Sequence, residues 1–181
     1  MARQGRLKLR ARDDEDLRVV SACLQDALVP LADVAFLKPE KRFVLVLNRF
    51  MWESAPEGAE MSKALEAVAE APAEGDGDAR FEDAEGPAPP YQRVNAGLTF
   101  DKVEAVRFRG FDVRKRDEIL SLLAIAPEED AITLAFSGGA AIQLKVAGIQ
   151  CHLEDIGEPW PTRWRPQHED EGAESAEASE G

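Results

Sequence analysis

Residues 53–90 divide this chain between two strand-patterned halves. From Glu53 to Ala88 there are 11 acids against 2 bases, and the stretch ends in Pro87-Ala88-Pro89-Pro90. Low hydrophobicity with high net charge cannot offset the entropy lost on ordering. A structureless connection this long counts against a compact fold unless it is an insertion. Strong strand patterns on both sides favour the insertion. Residues 1–52 and 91–167 are therefore expected to form one globular domain, with residues 53–90 as a disordered acidic insertion. Within the insertion, residues 60–71 are good helix formers.

A second acidic stretch closes the sequence. From Glu169 to Gly181 there are 6 acids and no bases, so residues 168–181 read as a disordered tail. The formal net charge of -13 resides in these two stretches, and the remainder holds 18 acids and 20 bases. The low pI thus describes the appendages, and the body is mildly basic. That body, roughly 130 residues, is long enough to bury a genuine core. Cys23 and Cys151 lack C-x-x-C spacing and suggest no disulfide framework. A reducing, cytoplasmic setting fits them. No apolar run near Met1 suits a signal peptide or a membrane span.

Arg6-Leu7-Lys8-Leu9-Arg10-Ala11-Arg12 alternates strictly and predicts a strand with Leu7, Leu9 and Ala11 inward. Asp13 is placed to cap a helix, with Asp14, Glu15 and Asp16 in its first turn. Leu17, Val20, Leu24 and Leu28 keep helical spacing as its buried stripe. Residues 33–37 and 42–47 predict a hairpin about a four-residue polar turn. Its second strand is apolar on both faces, so it is expected to be covered on both sides. Strands are expected again over residues 98–100, 103–108, 119–126, 132–136 and 141–146. Ile149, Leu153 and Ile156 keep helical spacing, predicting a short last helix ending at Gly157.

About seven or eight strands and two helices are expected, joined by short turns without recurring strand–helix–strand crossovers. That makes an α+β fold, mainly an antiparallel, strongly bent sheet or small barrel. Its general shape is pleckstrin-homology-like by analogy.

Several strings carry a resemblance. They are Leu24-Gln25-Asp26-Ala27, Leu45-Val46-Leu47-Asn48-Arg49-Phe50-Met51-Trp52-Glu53 and Leu98-Thr99-Phe100-Asp101-Lys102-Val103. Leu120-Ser121-Leu122-Leu123-Ala124, residues 132–140 and Leu153-Glu154-Asp155-Ile156-Gly157 complete the set. Together they resemble an uncharacterised alphaproteobacterial family of small proteins of unknown function. The resemblance covers the ordered body and neither acidic stretch. It implies a single cytoplasmic domain in a bacterium and brings no catalytic residues.

Cys151-His152-Leu153-Glu154-Asp155 is the densest group of potential ligands. On a helix Cys151, Glu154 and Asp155 would share one side. A thiolate beside hard carboxylates suits no single metal well, so a polar helix face with a semi-buried cysteine is the favoured reading. Cys23 adjoins the apolar stripe of the first helix and is expected to pack, not react. Ser137-Gly138-Gly139 reads as a hairpin turn in preference to an anion nest.

The basic residues are the more informative set. Arg6, Lys8, Arg10 and Arg12 line the outer face of the first strand. Arg107 and Arg109 share a face of a later strand, and Arg114, Lys115 and Arg116 follow in a loop. If they meet, they form a positive patch, to which Trp160 and Trp164, interleaved with Arg163 and Arg165, add stacking faces. The plainer reading is solvated strand faces with packing tryptophans, and it is preferred. No catalytic set, metal or cofactor is expected. The chain reads as a small non-enzymatic binding or assembly module with a protein partner. The alternative is an anion or nucleic-acid binder whose basic strand face is screened by the acidic insertion and tail. An enzyme would need a cleft containing Cys151, His152 or several carboxylates.

Overall fold

The computed structural model describes residues 6–54 and 91–166. The tail over residues 168–181, the stretch 60–71 and nearly all of the insertion over residues 53–90 lie outside the described residues. Strand β1 (Lys8–Ala11) leads into helix α1 (Asp14–Cys23). Asp13 is extended, and its carboxylate accepts from the Asp16 N–H at 2.8 Å, while Asp16 accepts from the Arg12 N–H at 3.1 Å. The first turn is thus capped from both directions. Leu17, Val20 and Cys23 form the buried face.

The helix stops before the expected stripe ends. Asp26 adopts φ 61 and turns the chain, so Leu28 lies in strand β2 (Ala27–Pro30), where it is partly exposed. Strands β3 (Val34–Leu37) and β4 (Arg42–Phe50) form the expected hairpin. Strands β5 (Tyr91–Phe100), β6 (Val103–Arg109), β7 (Ile119–Pro127), β8 (Ala131–Phe136) and β9 (Ala141–Val146) follow. Strand β10 (Cys151–Thr162) stands where a last helix was expected. The described residues therefore hold ten strands and one α-helix, not seven or eight strands and two helices. Leu153 suits either period, but β10 finds β1 on one side and β5 on the other. Two ladders of hydrogen bonds override a short helical spacing.

All pairings are antiparallel, in the order β1-β10-β5-β4-β2-β7-β8-β9-β6, with β3 beside β4. Only Asp101 and Lys102 separate β5, third in this order, from β6, the last. A three-residue step spans roughly 10 Å, so the sheet must curl back on itself. It does not close into a barrel, since no pairing joins β6 to β1. Helix α1 packs against β7 and β1, across the inner face. The Ser21 hydroxyl accepts from the Ile125 N–H at 2.8 Å, beside the bulge in β7. A donor disturbed by the bulge is thereby satisfied.

The core joins Phe43, Leu45 and Leu47 of β4 to Leu98 and Phe100 of β5 and to Leu134, Ile142 and Leu153. Val46, on the other face of β4, is 39% exposed, so β4 is covered on one side only there. The strands flanking the insertion are direct neighbours, paired from Phe43↔Phe100 to Phe50↔Arg93. No helix among the described residues is long and apolar enough to cross a membrane.

Gly110 ends β6 at φ +81, and a Cβ there would meet the Gly139 carbonyl oxygen at 2.9 Å and Ala140 Cα at 3.0 Å. Both neighbours are backbone and cannot swing aside. Gly110→Ala is expected to lower stability by about 1–3 kcal/mol, read by urea unfolding. An unchanged midpoint would refute this account of the β6 terminus.

Candidate functional site

Strand alternation turns Phe43, Leu45, Leu47 and Arg49 of β4 to the same inner face. Arg49 is fully buried there. A buried guanidinium needs carboxylate partners, and the fold supplies two. On β10, alternation turns Cys151, Leu153 and Asp155 inward. Arg49 Nε donates to Asp155 Oδ1 at 2.7 Å and Nη2 to Oδ2 at 2.8 Å. Four residues on, Glu53 accepts from Nη2 at 2.7 Å and from Nη1 at 3.1 Å. Asp155 Oδ2 also accepts from the Leu7 N–H at 3.0 Å. Burial opposes the charge on Arg49, but its bonds to Asp155 and Glu53 outweigh that and hold its pKa above the ordinary value.

The clamp fixes the short 3₁₀ turn Trp52–Ser54, where the described chain leaves β4. The same turn carries Trp52, whose indole N–H donates to the Gln25 carbonyl at 3.1 Å. On the outer face of β4, Phe50 lies under Trp52, with ring centres 4.6 Å apart, and beside Tyr91 at 5.5 Å. Arg93 covers Phe50 at 5.8 Å and donates to Asn48 Oδ1 at 2.9 Å. Burial pulls the Arg93 pKa down, and the Asp26 carboxylate partly opposes that.

Above this aromatic platform lies a cleft of about 950 Å³, lined by Gln25, Trp52, Tyr91, Arg163, Trp164, Arg165 and Pro166. Arg165 stacks over Trp52 at 5.9 Å. Trp164 is 82% exposed, far more than a packing tryptophan would be. No carboxylate, cysteine or histidine lines this cleft among the described residues. Among them, too, no three His, Cys, Asp or Glu side chains gather to hold a metal ion.

The cations expected from the sequence are placed elsewhere. Lys8 and Arg10 lie on β1, with Arg6 just before it, and Arg107 and Arg109 are exposed on β6. Arg114 is tied to Asp112, which sits below the usual carboxylate range because Arg114 donates to it. Arg116 donates to the Ala32 carbonyl at 2.7 Å. Of the two interleaved tryptophans, Trp164 lines the cleft, while Trp160, on β10, pairs with Arg93 of β5. The shared helical side expected for Cys151, Glu154 and Asp155 does not form. On a strand Cys151 and Asp155 point in and Glu154 points out. Arg49, Glu53, Trp52 and Tyr91 are not among the site residues expected from the sequence, and Asp155 is weighed there only as a ligand beside Cys151 and Glu154 on a helix. The available signal was an arginine at an inward strand position.

Both thiols are buried and free. Burial pushes the Cys23 thiol up to about 12, with the nearby Arg49 only partly opposing. Burial chiefly, and then the Asp101 carboxylate, raise Cys151 too. At pH 8 native Cys23 is expected to react with a disulfide reagent about a thousandfold more slowly than in the urea-unfolded chain. Rapid native labelling would contradict this placement. The raised pKa values imply stability that is constant below about pH 9 and falls toward about pH 12, as the unfolded thiols lose their protons first.

Fold and site define an antiparallel α+β domain in which a buried arginine clamp underpins an aromatic, arginine-lined cleft. The chain belongs to the family described as Protein of unknown function (DUF2948), whose model matches residues 7–168. No curated protein and no solved structure matches it.

Proposed function

We propose that this chain is a small non-enzymatic binding or assembly module of the bacterial cytoplasm, and that it meets a protein partner through the cleft around Trp164. The exposed Trp164, beside Trp52, Tyr91, Arg163 and Arg165, carries this reading. Trp, Tyr and Arg are the side chains in which binding energy concentrates at interfaces. Among the described residues, the lining offers stacking faces and guanidinium donors.

Two free thiols support a reducing compartment. The alphaproteobacterial source rests on the motif resemblance. Pairing of β4 with β5 supports residues 1–52 and 91–167 as one domain, with the acidic stretches as insertion and tail.

A photo-reactive side chain at position 164, introduced in the living source cell, is expected to crosslink one discrete protein. The same group at Phe108, which is also exposed, is expected to give none. Equal labelling from both positions would reject the reading.

A further inference from the structure

We infer that the cleft is a docking groove for a proline-rich segment of the protein partner, held in its polyproline II form and flanked by an acid. This rests on the proposed binding role of the cleft and names the chemistry of its occupant.

The walls of the cleft are aromatic, and two of the three rings are held in place. Trp52 commits its indole N–H to the Gln25 carbonyl and packs on Phe50, and Tyr91 packs on the same Phe50 ring. Arg165 lies over Trp52, so the ring most open to a ligand is that of the exposed Trp164. Small-molecule sites bury most of their ligand's surface. A cleft with so open a wall suits a chain passing through it.

Hydrogen bonding selects the kind of chain. Among the described residues, the Trp164 indole N–H and the Arg163 guanidinium have no hydrogen-bond partner, and both are donors only. No carboxylate or histidine accompanies them in the lining among the described residues. Proline has no N–H and presents only a carbonyl, and a polyproline II helix leaves every carbonyl open. An ordinary extended peptide brings N–H groups that donor-only side chains cannot accept. A helix keeps its carbonyls for itself. Proline-rich segments dock in aromatic-lined grooves and, being preformed, lose little freedom in doing so.

Charge narrows the choice further. Arg163 is exposed on the lining, where it repels a cationic ligand and favours a carboxylate beside the prolines. That opposes the methylated-lysine ligand that a bare aromatic cage would take.

The test uses the full-length chain and two capped peptides of about ten residues. One is oligoproline with a single glutamate, and the other has glycine at every second proline. Tryptophan fluorescence and calorimetry follow the binding. The proline peptide is expected to bind at least about tenfold more tightly than the glycine-bearing one. Trp164→Ala is expected to weaken it at least about tenfold, and Trp164→Phe about threefold, since the ring stays while its N–H is lost. Glutamine in place of the peptide's glutamate is expected to weaken binding about threefold, but not in Arg163→Gln. Circular dichroism of these surface variants is expected to be unchanged.

Equal binding of the two peptides, binding of neither, or indifference to Trp164→Ala overturns the inference. So does indifference of the natural chain to the peptide's glutamate. Tighter binding of an oligothymidylate than of the proline peptide also overturns it, assigning the open ring to nucleic acid. Any of these results alongside a discrete crosslink from position 164 rejects the proline chemistry alone. Loss of the crosslink rejects the binding role itself.

Discussion

Arg49→Met is expected to lower the unfolding free energy by about 3–5 kcal/mol, the cost of leaving buried carboxylates without their cation. Asp155 is 5% exposed and keeps only its bond to the Leu7 N–H once the guanidinium is gone. Glu53 loses both of its contacts to Arg49, so the turn bearing Trp52 loosens as well. Arg49→Lys is expected to recover little, because one ammonium cannot make two paired bonds to each of two carboxylates. The combination of Arg49→Met with Asp155→Leu is expected to be more stable than Arg49→Met alone, since the orphaned charge is removed. Urea unfolding of the four chains gives the cycle. A loss under about 1 kcal/mol for Arg49→Met would mean that the clamp does not hold the fold.

Phe50→Ala is expected to cost about 3–5 kcal/mol, in the range for a buried phenylalanine. Phe50 is fully buried although it belongs to the outer face of β4. Its cover is Trp52, Tyr91 and Arg93, so deleting the ring removes the support beneath two lining residues of the cleft, Trp52 and Tyr91. Tryptophan emission is expected to shift to the red as Trp52 gains water, and Phe50→Leu is expected to retain most of both properties. A destabilised chain with unchanged emission would show that the platform does not position Trp52.

Both sites lie where the sequence signal was weakest. The capped start of α1, the β3–β4 hairpin and strands β6 to β9 were legible, because local patterning and packing agree there, whereas only residues 98–100 of β5 were expected as strand. The end of α1 was not, since Leu28 continues the helical spacing while Asp26 turns the backbone into its positive-φ region. In β10, Leu153 fits either period, and only pairing with β1 and β5 decides. A helical period sets Asp155 beside Glu154, whereas at period two it falls inward with Cys151 and Leu153. Arg49 could have been flagged as a cation following Phe43, Leu45 and Leu47 on one face, but its partners are 106 and 4 residues away. Contacts between side chains so separated depend on topology, which periodicity does not specify. The strand cations were visible, but none of Arg6, Lys8, Arg10, Arg107 and Arg109 lines the cleft. The cleft instead gathers Gln25, Trp52, Tyr91 and the segment from Arg163 to Pro166.

The central claim is that the cleft around Trp164, not the basic strand faces, receives a protein partner. Photo-crosslinking in the living source cell from position 164, and separately from positions 8 and 107, tests it most directly. The expected result is one discrete protein captured from position 164 and none from position 8 or 107. Capture of a discrete protein from position 8 or 107, with none from position 164, would contradict it.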